Sequence, residues 1–456
     1  MRKQVPPTAS ATSRRDFIKA SSLLVAGGAV GGGLNVARAA QAYGSDEIRI
    51  GLIGCGGRGV GAAQQALNTV KNSAIAPNGP VKLVAMGDVF ADRLQSAYRS
   101  IKGQHADLVD VPPERQFSGL DAYQKVLECE LDLVILATPP GFRPLHFEAA
   151  VSAGKHVFME KPVATDPPGI RRLLAANDEA KKRSLLVAVG LQRHHEKKYQ
   201  ETIQRLWDGA IGDLVCLRVY WNGGGVWVRP RQEDQTELEY QLRNWYYFNW
   251  MSGDHIVEQH THNLDVGNWL LKDHPAECNG MGGRQVRTGK EYGEIYDHHF
   301  CEFTYGNGVK MFSQCRHIRN CWNSVAEHAH GTKGSADISG AKIYSPSGEL
   351  IWSGKGGGGG HQEEHYDLFA ALRQGTIYNE AEFGAHSTLT AILGRLATYS
   401  GKVVKWDEAL NSDVALADFD SLESFQDEAP AKPNPDGVYV TEERYEIAMP
   451  GKTKVL

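Results

Sequence analysis

The 456-residue sequence has no apolar run of 20 residues, no internal repeat, no C-x-x-C pair and no surplus of basic residues. The first absence removes a membrane-spanning helix, and the second removes solenoid and propeller arrays. Without paired cysteines at metal-binding spacing, a zinc knot or thioredoxin-like motif has nothing to build on. Cys55, Cys129, Cys216, Cys278, Cys301, Cys315 and Cys321 are odd in number and widely spread, so they read as mostly buried small hydrophobes. A net charge of -5 argues against a nucleic-acid surface, which needs clustered Lys and Arg. With 41% hydrophobic and 23% charged residues, the rest is ordinary globular composition, long enough for two or more domains.

Residues 1–39 depart from that composition. Ser13-Arg14-Arg15-Asp16-Phe17-Ile18-Lys19 precedes a Gly/Ala-rich apolar run from Ala20 to Leu34, followed by Ala37-Arg38-Ala39. A basic segment, a short apolar segment and an A-x-A site make a secretory signal, and the paired arginines resemble the twin-arginine export signal. The expected location is therefore periplasmic or extracytoplasmic, with no membrane attachment after cleavage. The route carries folded proteins, so a cofactor loaded in the cytoplasm can travel with its enzyme.

The stretch Ile48 to Ala63, IRIGLIGCGGRGVGAA, runs from a β-rich segment through a glycine cluster into a helix. Gly54, Gly56 and Gly59 fit G-x-G-x-x-G, with Gly57 and Arg58 between them. Such a turn brings backbone N–H groups to a pyrophosphate at a helix N-terminus; without a ligand it is a plain strand–turn–helix. Strand candidates follow at Lys82–Met86, Leu131–Ala137, His156–Met159 and Leu185–Gly190. Helical patterning lies between them, as at Asp121–Leu127 and Leu145–Ala153. That alternation predicts a parallel sheet covered by helices, an α/β Rossmann domain over residues 47–191. Asp88, just after the second run, is placed to accept hydrogen bonds from an adenosine ribose, favouring NAD over NADP. A polar insertion, Asn72 to Pro80, lengthens its spacing from the glycines, and Arg58 keeps NADP open through a phosphate contact.

The loops after the third and fourth runs are Ala137-Thr138-Pro139-Pro140 and Glu160-Lys161-Pro162, and both border one cleft. Together with the glycine turn, HVFMEKP and a segment near residue 260, they resemble the glucose–fructose oxidoreductase / inositol dehydrogenase family (Gfo/Idh/MocA), over roughly Ile48 to Ser400. The resemblance implies a nicotinamide beside Thr138, Pro139 and Glu160, with Lys161 on the reacting hydroxyl. It implies that residues 192–410 form an α+β domain with an open, largely antiparallel sheet, which carries the substrate pocket and the interface of a homo-oligomer. It also implies a catalytic histidine at His262 followed by Asp265; Glu258 stands where the family has Asp. The match of L-Q-R puts Arg193 in the pocket.

Read as one helix, Gly253 to Asp265 places His255, Glu258, His262, Asp265 and Trp269 on a single stripe, with His260 opposite. A histidine flanked by carboxylates is a tuned base, suited to taking the proton of a secondary alcohol. Zinc held by His255, Glu258 and His262 is the competing reading; the spacing is not H-E-x-x-H, and no metal is expected. His194 and His195 read as surface or capping residues. Trp221, Trp227, Trp245 and Trp250 punctuate a segment that reads either as a carbohydrate pocket, with Trp245 in it, or as core under a loop. Beyond the Gly356–Gly360 run, His361 to Gly375 reads as a helix, and residues 411–456 as an arm or loose tail.

The expected function is an exported NAD(P)-dependent oxidoreductase of a sugar, cyclitol or glycoside, its cofactor held through the cycle. Transient oxidation leading to glycosidic elimination and a non-catalytic sugar-binding role are the alternatives.

Overall fold

The computed structural model describes residues 47–72, 79–433 and 447–456. The signal segment, part of the Asn72–Pro80 insertion and part of the tail lie outside them. Six strands form the first sheet: β1 (Ile48–Ile53), β2 (Val81–Asp88), β3 (Gln116–Ser118), β4 (Leu133–Leu136), β5 (His156–Met159) and β6 (Val187–Val189). They are parallel, in the order β3-β2-β1-β4-β5-β6, so the chain leaves β1 in one direction and later returns to its other side. β4 and β5 are buried along their whole length, as strands covered on both faces must be. The predicted runs all became strands, trimmed or extended by a few residues. The three-residue edge strand β3 was not foreseen, because so short a run carries no periodicity.

The second sheet has nine strands in the order β14-β13-β12-β11-β7-β10-β9-β8-β15. These are β7 (Leu214–Gly223), β8 (Pro275–Gly283), β9 (His298–Tyr305), β10 (Lys310–His317), β11 (Ser324–Gly331), β12 (Gly334–Asp337), β13 (Lys342–Tyr344), β14 (Leu350–Ser353) and β15 (Val404–Lys405). All neighbouring pairs are antiparallel except β7 with β10. In β9 and β10 buried and half-buried residues alternate strictly, so one face is packed and the other wetter. The packed face carries Cys301 and Phe303 against the buried helix Ala381–Ser400.

The chain does not stay in its second half after residue 191. The helix Gly360–Gln374 lies on the helix Gly57–Asn68, where Gln362 Nε2 donates to Gln65 O at 3.0 Å. Its Leu368 and Phe369 join the core formed by Ile50 and Leu52 of β1. Val187 N of β6 donates to Tyr378 O, and Glu380 N donates back to Val187 O, both at 2.9 Å. The tail, too, is packed rather than loose where it is described. Phe419 sits edge-on to Phe142 at 5.0 Å, and Phe425 stacks on Phe90 at 5.6 Å. Among the described residues, no helix is long and apolar enough to cross a membrane.

Candidate active site

At the end of β1, Gly54 has φ +95°, and a Cβ there would stand 2.5 Å from Ala137 C. Only glycine accepts both the backbone angle and the contact. Gly59 is tighter still: its Cβ would lie 1.9 Å from Gly54 O. The helix Gly57–Asn68 packs through Ala62, Ala63 and Ala66, whose small side chains let it approach the sheet. A Cβ on Gly56 or Gly57 would meet nothing within 4 Å, so their bare backbone faces open space at an uncapped helix N-terminus. Asp88 ties the turn to β2, since its carboxylate accepts from Cys55 N at 2.6 Å and Phe90 N at 2.8 Å. Burial holds its pKa above the ordinary value against those amide bonds.

A cavity of about 440 Å³ runs from this turn past Asp88, Thr138 and Pro139 to Glu160, Lys161 and Glu258. Its roof is Trp227, Arg229, Leu242, Trp245 and Met251 from the tryptophan-rich segment. Trp245 therefore stands over the same groove as the glycine turn. The loop after β4 is fixed by Arg143, which donates to Leu136 O and Thr138 O, each at 2.6 Å. Arg58 Nε is 2.7 Å from Glu160 Oε1, so the carboxylate of the E-K-P tripeptide holds an arginine of the glycine turn.

Lys161 reaches into the second half, where Nζ donates to Glu258 O at 2.5 Å and lies 3.8 Å from Glu258 Oε1. His262 is 8% exposed, stacks on Trp221 with ring centres 5.9 Å apart, and keeps Nδ1 buried with no hydrogen-bond partner. Burial, then the charge of Lys161, then that of Arg193, push its pKa well below the usual imidazole value. The imidazole is thus neutral and able to accept a proton.

Residues 48–190 match the model of an oxidoreductase family with an NAD-binding Rossmann fold, labelled Gfo/Idh/MocA. The match is confined to the part of the chain that carries the first sheet. It is 26% identical over 230 residues to an inositol 2-dehydrogenase of Klebsiella pneumoniae (strain 342), covering 50% of this chain and 55% of that relative. The chain thus spans little more than half of that relative's length. In fold it is similar to levoglucosan dehydrogenase in complex with NADH and levoglucosan, with TM-score 0.59 and 16% identity over 79% of this chain and 99% of that one. It is also similar to apo scyllo-inositol dehydrogenase from Lactobacillus casei, with TM-score 0.59 and 20% identity over 79% and 98%.

The single helix expected over Gly253 to Asp265 is broken. One turn, His255–Glu258, ends at Gln259, and a new helix runs Thr261–Leu271. The change of axis takes His255 off the stripe. It is fully buried, with Nδ1 2.8 Å from Asp254 Oδ1 and its ring stacked on His317. Asp265 does not serve His262: it accepts from Ser387 Oγ at 2.7 Å and pairs with His194 Nε2 at 2.8 Å. His194 and His195 are not surface residues; His195 is buried between Asp367 and Glu380, which raise its pKa to about 10 against the effect of burial. Arg193 is buried in an ion pair with Glu327, which also takes Asn263 and Tyr199.

Among the described residues, Asp254, His255 and His299 stand close enough to share a cation. The Asp254 carboxylate is already filled by Tyr399 Oη at 2.6 Å, Tyr296 N at 2.9 Å and His255, so the trio forms a closed hydrogen-bond knot. Trp227, Arg229, Leu242 and Met251, which line the cavity, were not among the expected site residues. Their one sequence signal, the tryptophan spacing, does not say which ligand lies beneath.

Proposed function

We propose that this chain is an NAD-dependent oxidoreductase acting on a secondary hydroxyl of a sugar, cyclitol or related polyol, and that it retains its dinucleotide through the cycle. The observation carrying this reading is the continuous cavity from the glycine turn to Lys161 and Glu258. The residues present fit a dinucleotide: the side-chain-free backbone at Gly56 and Gly57 suits a pyrophosphate, and Asp88 suits an adenosine ribose. Bound NAD supplies the hydride acceptor. His262, neutral and buried, takes the carbinol proton. Lys161, held by Glu258 O, stabilises the alkoxide that forms as the proton leaves.

Retention is supported by the roof and by the tail behind it, where Phe419 packs against Phe142 and Trp250. It also fits the twin-arginine segment, because free NAD is scarce outside the cytoplasm and an exported enzyme must reoxidise what it carries. The test is purification without added nucleotide, with mass spectrometry of the released small molecules. A panel of sugars, cyclitols and aryl glycosides is then screened for NADH fluorescence and product release. Nucleotide-free protein overturns retention; nucleotide-bound protein inert toward every polyol overturns the redox reading. Cell fractionation with and without Arg14 and Arg15 tests export.

A further inference from the structure

We propose that Arg93 and Arg229, one from each half, form an anion site at the ribose end of the cavity that takes the 2′-phosphate of NADP, so that this chain binds NADP as well as NAD. The inference rests on the redox reading above and widens the set of dinucleotides that serve it.

Two cavities meet at these arginines. Both line the dinucleotide cavity beside Asp88, Val89 and Phe90, and both also line an outer cavity of about 730 Å³. They therefore stand where the dinucleotide cavity opens outward, next to the end of β2. That strand end is where a Rossmann domain receives the adenosine ribose, and an arginine nearby accommodates a 2′-phosphate. Arg93 lies in the first turn of the helix Ala91–Gln104 and is half-buried, its guanidinium carbon 5.9 Å from the centre of the Phe90 ring. Arg229 comes from the tryptophan-rich segment. Its backbone N–H donates at 2.8 Å to Oδ1 of the fully buried Asn244, and its guanidinium carbon lies 5.0 Å from the centre of the Trp227 ring.

Uncompensated charge sets the pair apart. The third arginine of the outer cavity, Arg243, is matched by Asp92 at 3.2 Å and by Glu239 at 3.1 Å. Among the described residues, Arg93 and Arg229 belong to no ion pair and meet only aromatic rings. The exposed Asp234 lines the outer cavity alone. Arg58, the arginine of the glycine turn, is engaged by Glu160 at 2.7 Å, so a 2′-phosphate contact falls to Arg93 and Arg229 instead. Asp88 is the one carboxylate at this end of the dinucleotide cavity, and its two oxygens already accept from Cys55 N and Phe90 N. Two guanidiniums against one engaged carboxylate leave the end net positive. A phosphate monoester offers the charge and the acceptor oxygens that both guanidiniums can bind. The 2′-hydroxyl of NAD needs neither of them, because Asp88 accepts from it.

The experiment titrates NADH and NADPH by fluorescence into full-length wild type, Arg93→Gln and Arg229→Gln, each freed of retained nucleotide, with thermal melts as the folding control. Arg229 is exposed, so its variant keeps the fold. Wild type is expected to bind both nucleotides. Each variant should weaken NADPH about tenfold or more, the loss of a charge-assisted hydrogen bond to phosphate, and leave NADH within about twofold. Wild type that binds NADH and not NADPH overturns the proposal, as does NADPH binding indifferent to either substitution. An equal fall for both nucleotides in a folded variant overturns it too, since that moves the arginine to a phosphate the two cofactors share. Wild type that binds neither nucleotide overturns the parent reading and this one with it, so the two failures are distinguishable.

Discussion

Lys161 Nζ and the backbone carbonyl of Glu258 meet at 2.5 Å across 97 positions of sequence. The bond joins the loop after β5 to the break between the two short helices of the second half. It fixes the ammonium at the second half, where, after burial, its charge is the next cause of the lowered His262 pKa.

Removing the ammonium tests the first role. Lys161→Met should lower kcat by about 10²–10³-fold, the usual loss when one preorganised donor to a developing oxyanion is deleted. NADH affinity should stay near wild type. An equal loss in both would instead make Lys161 a cofactor ligand.

His262→Ala should cost about 10²–10⁴-fold in kcat if the imidazole is the general base. In wild type the acidic limb of the kcat/KM profile should fall below the ordinary imidazole range, because the folded pKa is depressed. Lys161→Met removes a positive neighbour, favours the imidazolium and should move that limb toward neutral pH. A limb that does not move would separate the two side chains functionally.

The glycine turn separates fold from ligand. Gly59→Ala drives a Cβ to 1.9 Å from Gly54 O and should cost about 1–3 kcal/mol of stability, read as a lower Tm. Gly57→Ala meets no protein atom within 4 Å, so Tm should hold while NADH affinity falls. Unchanged affinity in Gly57→Ala would move the pyrophosphate elsewhere.

Glu294 is fully buried; burial raises its pKa to about 8 even though Asn249 N donates to Oε1 at 2.7 Å, and Oε2 has no partner. The folded state therefore keeps a proton that the unfolded chain releases above its ordinary value of 4.5. Stability must fall as pH rises through that window. Glu294→Gln removes the titration, so its Tm should change less between pH 5 and 9, with an advantage of about 2 kcal/mol at the alkaline end. Parallel melting curves would show that Glu294 ionises without penalty.

Phe419→Ala opens the contact between the tail and Phe142, which lines the cavity. Half-buried, Phe419 should cost less than the about 3–5 kcal/mol of a fully enclosed phenylalanine, and bound nucleotide should leave faster in a dilution chase. An unchanged release rate would take the tail out of cofactor retention.

The first sheet was legible because its signals are local. A parallel strand buried on both faces is a continuous apolar run, and a glycine turn is specified by steric needs within a few residues, as at Gly54 and Gly59. The identity of the groups that flank the cleft, Thr138, Glu160 and Lys161, followed from their position just after those runs. The helix break at Gln259 was not legible, because 3.6-residue periodicity carries through a change of axis; only packing shows that His255 has gone to Asp254 and Asp265 to His194. Nor could sequence place Trp227 in the cavity that holds the glycine turn, since it comes from a segment remote in the chain. Sequence by itself determined the nucleotide-binding half, because there the constraint is steric and short-range. Tertiary structure alone decided which side chains share the cleft with Lys161, because that depends on how the second half folds back onto the first.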